Sequence, residues 1–184
     1  MVENVKSIGV RTFQNCSKLA LPVVIAGTNS FAMTSGWPGH YGFNGTAIPS
    51  VVITSPLTAL GTMDYGLVFS DNRALTEVDL PETLRMLGVS VFQNDTALTA
   101  VRFHGSCPAS IAVNAFNSVT DYKVRVFYPK GDVSWNSIPV GTVTPWADLT
   151  PAQTNKYWTN YPGGKRPTAM WSLTNQWTPN RNLW

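Results

Sequence analysis

Apolar residues recur along this chain in a fixed order and at a nearly fixed interval. Pairs of the form Val-x-apolar fall at Val51/Ile53, Val78/Leu80, Val101/Phe103 and Val124/Val126, at steps of 27, 23 and 23 residues. Between them an aliphatic residue precedes a Phe by five positions, at Ile8/Phe13, Leu87/Phe92 and Ile111/Phe116. Leu60 precedes Phe69 by nine, so four residues are inserted in that copy, and the long step has its cause. A first copy runs Val5, Ile8, Gly9, Phe13, Cys16, Leu19, then Val23/Ile25. The step from Val23 to Val51 is stretched by the segment around 30–45. Self-similarity at a period of 20–50 residues marks a solenoid, in which each copy buries its apolar side against the next.

The pattern predicts one short strand per coil of ~23 residues, paired in parallel with the strands of neighbouring coils, and little helix. Ile8, Phe13, Leu19, Val23 and Ile25 are expected to face the core, and Gly9 to sit in a turn that needs positive φ. Cys16 fills an inward slot occupied by Asn72 and Asp95 in later coils. The residue inside each pair points outward: Val24, Val52, Asp79, Arg102 and Arg125. With Thr76, Glu77, Thr99 and His104 these form one strip, on which Asp79 and Arg102 should be cross-strand neighbours. At an exposed face that pair is worth a few tenths to about 1 kcal/mol. Solenoids use such strips to bind extended partners; a solvated strip without a ligand is the alternative.

The frame Ile-Gly-x-x-x-Phe-x-x-Cys-x-x-Leu stands as IGVRTFQNCSKL at 8–19, LGVSVFQNDTAL at 87–98 and IAVNAF at 111–116. It resembles the BspA-like leucine-rich repeats. VRVFYPKGDVSW at 124–135 is similar to the last strand, Pro-x-Gly turn and Trp with which that family tends to end. The resemblance covers roughly residues 5–135. It implies a leucine-rich-repeat solenoid of about five coils over 1–135, serving as an adhesion or binding module, and it carries over no catalytic residue.

Two stretches depart from the frame. Residues 26–47, AGTNSFAMTSGWPGHYGFNGTA, carry five glycines and read as a long loop insertion. Long loops in compact domains are often functional. Trp37, His40, Tyr41 and Phe43 either form an aromatic contact site for a protein or glycan or fold back to cap the first coils. Residues 136–184 form an irregular, Pro- and aromatic-rich C-terminal arm. Six of the seven Trp lie at 135 and beyond. Only Thr150–Tyr157 (one or two helical turns) and Thr168–Leu173 (a strand) could be regular. A disordered tail is poor in aromatics, whereas Trp is favoured at interfaces. Trp146, Trp158, Trp171, Trp177 and Trp184 are therefore interface candidates, docking on another subunit or wrapping the last coil.

Charged residues make up 12% of the chain, about half the usual share, and the net charge is +3. No Lys/Arg run exceeds Lys165–Arg166, which argues against nucleic-acid binding along a basic stripe. No stretch reaches the ~18 apolar residues of a membrane span, and MVENVKSIGV lacks the apolar centre of a secretory signal. Cys16 and Cys107 would lie three or more coils apart, roughly 14 Å at about 4.8 Å per strand, so both are expected to be free thiols.

Candidate chemistry is sparse. Neither His40 nor His104 lies in a metal-ligand spacing, no Cys-x-x-Cys exists, and Gly163-Gly164-Lys165 lacks the rest of a phosphate loop. Glu77 and Asp79 would project from a flat strand, whereas paired catalytic carboxylates need a cleft between them. The expectation is a non-enzymatic module with no metal and no cofactor. Two placements remain. One is a subunit of a larger assembly such as a phage virion (capsid decoration, tail or baseplate), homo-oligomeric or with other protein subunits. The other is a secreted or cell-surface adhesin that binds a host protein or glycan.

Overall fold

A strand of three or four residues buries too little to hold itself, so coils of this length become stable only when neighbours stack. A computed structural model of the chain describes residues 7–26, 41–62, 64, 66–112, 115–116, 125–129, 132–136 and 168–171. Its strands are β1 (Val23–Ile25), β2 (Ser50–Ile53), β3 (Ala59–Leu60), β4 (Glu77–Leu80), β5 (Met86–Leu87), β6 (Ala100–Phe103), β7 (Ser110–Ile111), β8 (Arg125–Pro129) and β9 (Thr168–Trp171), with a 3-10 turn at Val133–Asn136. The larger sheet has the order β1-β2-β4-β6-β8-β9 and the smaller the order β3-β5-β7. All of these pairings are parallel, as a right-handed or left-handed winding of similar coils requires. The described residues form a solenoid of stacked coils with short parallel strands and little helix, as the repeat predicts.

The register is the one that the apolar pattern sets. Val23, Val51, Val78 and Val101 stand opposite one another, rung after rung. Leu60, Leu87 and Ile111 do the same in the smaller sheet, which gives these coils a second, two-residue strand beyond the one expected. Between the sheets the phenyl rings of Phe13, Phe43, Phe69, Phe92 and Phe116 stack in one column, with successive centroids 4.9, 5.2, 6.0 and 5.3 Å apart. Offset rings at this spacing add roughly 0.5–1.5 kcal/mol per pair beyond their burial.

The backbone holds each of the first four rings between two residues in the left-handed region. Arg11, Tyr41, Leu67 and Ser90 lie two positions before a Phe, and Asn15, Gly45, Asp71 and Asn94 two positions after, all with positive φ. The later column contains only Asn, Asp and Gly, the types for which that conformation costs least. Gly9 is not among the positive-φ residues. Its slot matters for space instead: at Gly88, the same slot in a later coil, a Cβ would lie 2.4 Å from the Thr62 carbonyl oxygen.

Four expectations are corrected. Residues 41–47 are not part of an unrepetitive loop, because Phe43 takes the ring slot of a full coil. Val126, not Val124, stands opposite Val101, and Tyr128 is buried in the core. Phe127 then faces Arg102, and Arg125 faces Ala100. Cys16 is exposed, in the first of the described coils, and both cysteines are free. Ile8, Val23 and Ile25 are buried as expected, whereas Phe13 and Leu19 are only half-buried. The strand expected at 168–173 is present as β9, and it extends the solenoid's own sheet beside β8.

Candidate functional site

The strip along the larger sheet is the only place where sequence reading put several charged side chains together. β4 and β6 bring Asp79 opposite Arg102 and Glu77 opposite Ala100. Arg102 Nη1 donates to Glu77 Oε2 at 2.8 Å and lies 3.6 Å from Asp79 Oδ2. His104 Nε2 is 2.8 Å from Asp79 Oδ1. The Arg102 guanidinium sits 5.3 Å from the centroid of the Phe127 ring. Arg102 thus joins an acid on one side to an aromatic face on the other, contacts a planar cation makes well.

Two residues of this face do not point into solvent as alternation suggests. Asp79 is 2% exposed and Arg102 8% exposed. Burial pushes the Asp79 carboxyl above its ordinary value, against the pull of the His104 hydrogen bond and the Arg102 charge. The threonines serve the backbone: Thr76 Oγ1 donates to the Pro49 carbonyl at 3.0 Å and Thr99 Oγ1 to the Thr76 carbonyl at 3.2 Å. Glu77, Asp79, Arg102 and His104 are therefore one connected group, joined to Phe127, while Thr76 and Thr99 belong to the coil-to-coil ladder. Arg125 stands on β8 as the partner of Ala100.

Other candidates fall elsewhere. The Tyr41 ring lies 5.6 Å from the Arg11 guanidinium carbon, on the turn column before the phenyl rings. Trp171 is on β9 opposite Pro129. Trp37, His40, Trp146, Trp158, Trp177 and Trp184, with the helical turns expected at 150–157, lie outside the described residues.

Sequence reading put Asn72 and Asp95 in one inward slot but missed the polar group that surrounds them inside the turns. Asn44 Nδ2 donates to Ser70 Oγ and Asp71 Oδ2, each at 2.8 Å, and Asn94 Nδ2 donates to Asp71 Oδ1 at 2.8 Å. Behind it runs a buried column. Thr46 Oγ1 donates to Asn72 Oδ1, Asn72 Nδ2 to the Phe69 carbonyl, and the Asn72 N–H to Asp95 Oδ1 at 2.8 Å. Asp95 is wholly buried and its Oδ2 has no hydrogen-bond partner. Desolvation raises its pKa well above the ordinary carboxylate range. The signal was the recurring polar triplet after each Phe, which reads as a loop unless the coils are aligned.

The end of the described solenoid is pinned by Asp132. It accepts from Ser106 Oγ at 2.8 Å and from Ser134 Oγ at 2.6 Å, and Ser134 Oγ accepts from the Cys107 N–H at 2.8 Å. The Cys107 thiol is pushed up to about 12, by burial first and by the Asp132 charge second. Among the described residues no group of three or more His, Cys, Asp or Glu side chains could hold a metal ion. No helix among them is long and apolar enough to cross a membrane.

A family model described as the BspA type leucine rich repeat region, in six copies, matches residues 1–123. No curated protein and no solved structure matches the chain.

Proposed function

The chain belongs to the BspA-type leucine-rich repeat family, and from that premise we propose that it is a non-enzymatic module that holds other proteins, as a subunit of a larger assembly such as a phage virion. One observation carries the reading. Asp79 and Arg102 on the sheet face are buried and paired, with the half-exposed Glu77 and His104 bonded to them, which supports a wall whose charges hold neighbouring coils together. The low charge of the whole chain and the Trp-rich segment beyond 135 support contacts with protein.

A second reading, a surface adhesin for a host protein or glycan, is favoured by the family itself. Sizing the purified chain, alone and in its native mixture, separates the two. A subunit is recovered at the mass of a complex. An adhesin stays a monomer in the mixture and is retained by immobilised host-surface protein or glycan. Recovery as a monomer that is retained by neither would sink both.

A further inference from the structure

Asn44 and Gly45 form the one Asn–Gly pair in the sequence. Such a pair is chemically unstable in water. The backbone nitrogen that follows an Asn can attack the side-chain amide carbon, and a Gly in that place, with no Cβ, leaves the approach unhindered. A bond forms between the Gly45 nitrogen and Asn44 Cγ, closing a succinimide ring. The Cγ–Nδ2 bond breaks, and Nδ2 leaves as ammonia with the Gly45 amide proton. Water then opens the ring at either carbonyl and leaves an aspartyl or an isoaspartyl residue at position 44.

The solenoid clamps both reacting groups. The Gly45 N–H donates to the Ser70 carbonyl at 3.0 Å. Asn44 Nδ2, the leaving group, donates to the same carbonyl at 3.2 Å and to Ser70 Oγ and Asp71 Oδ2 at 2.8 Å each. From the other side Gln14 Nε2 donates to Asn44 Oδ1 at 3.3 Å, and the Asn15 N–H donates to the Asn44 carbonyl at 2.8 Å. Asn44 is 6% exposed. For ring closure Gly45 must give up the Ser70 carbonyl and the Asn44 amide must leave its three acceptors. Both require the coil of Phe43 to part from the coil of Phe69.

Neither product fits the closed stack. An aspartyl side chain at 44 has no N–H for the Ser70 carbonyl, and it sets a second carboxyl group against that of Asp71. An isoaspartyl residue lengthens the main chain by one carbon and takes the carbonyl that receives Asn15 out of it. We propose that Asn44–Gly45 is a self-modification site gated by the stacking of the coils. It stays unreactive while the neighbouring coils clasp it, converts once they part, and then bars them from closing again. A lasting opening of these coils thus ends the working life of the molecule. This goes beyond the protein-holding reading and does not depend on it.

The full-length chain is aged in mildly alkaline buffer with and without urea, and conversion is followed by ammonia release and by peptide mapping for isoaspartate. Asn44 should convert at least about 100-fold more slowly in the folded chain, a ratio that corresponds to a local opening cost of about 2.8 kcal/mol. Ser70→Ala, which removes one acceptor of the leaving amide, should speed conversion in buffer and leave the rate in urea unchanged. Asn44→Asp, which imitates one product, should melt several degrees below the wild type or fail to fold. Equal rates in buffer and urea, or a Ser70→Ala rate in buffer equal to that of the wild type, overturn the gate. An unchanged Asn44 in urea overturns the site, and a wild-type melting temperature for Asn44→Asp overturns the bar to restacking.

Discussion

Asp95 shows how much a single slot of this repeat can cost. Its neighbour in the column, Asn72, uses both ends of its amide, accepting from Thr46 and donating to the Phe69 carbonyl. Asp95 uses one oxygen and leaves the other buried and alone. Its pKa in the folded chain lies above the unfolded value of about 3.8, so the folded state binds the proton more tightly. Its contribution is most favourable below pH 3.8 and is lost as pH rises towards the folded value. Asp95→Asn should place a donor within reach of the Phe92 carbonyl and remove the buried charge. Urea melts should show a gain of about 1–3 kcal/mol at the upper end of the pH range, shrinking towards pH 4. Phe92→Ala, which breaks the ring column between Phe69 and Phe116, should cost about 3–5 kcal/mol in the same measurement. Phe92 was legible from sequence because the stack demands a ring at the same slot in every coil. Phe43 was not, because no aliphatic residue stands five before it and glycines surround it.

Between coils, close approach decides what an element tolerates. Gly88 follows β5, and a Cβ there would lie 2.4 Å from the Thr62 carbonyl oxygen and 2.6 Å from the Thr62 nitrogen, both backbone atoms that cannot swing away. Gly9 holds the same slot in the first described coil, where the nearest atom would be Thr12 Oγ1 at 3.4 Å. Gly88→Ala should therefore destabilise by about 1–3 kcal/mol, and Gly9→Ala should stay within about 0.5 kcal/mol, as compared by chemical denaturation of the two variants. The pairing of β2, β4 and β6 could be read from Val51, Val78 and Val101 alone. β8 slipped by two residues because VRVFY alternates throughout, and a shift of two keeps every side chain on its face. β3, β5 and β7 are two residues long, too short to leave a pattern. The burial of Asp79 and Arg102 was hidden for another reason: alternation marks a charged position as outward and says nothing of what covers it.

For the molecule as a whole, the sixth strand of the sheet comes from the segment that composition set apart. β9 lies beside β8 through Val126↔Thr168 to Pro129↔Trp171. Removing 136–184 should leave a core, built on β1 to β8, that still melts cooperatively, but at a lower temperature because β8 becomes an edge. The same truncation should abolish association with partner chains. Circular dichroism melts and sedimentation velocity of the truncated chain check the two halves separately, and normal association would remove the segment from the interface.

The turns carry a further consequence. The positions before the rings hold Arg11, Tyr41, Leu67 and Ser90, four unlike side chains on one backbone shape. The fold dictates the path there and leaves the identity of the residue open. Evolution or a designer could rewrite these four letters, Arg11 and Tyr41 as a touching pair, displaying a chosen row of groups at intervals of about 5 Å while the architecture beneath stays as it is.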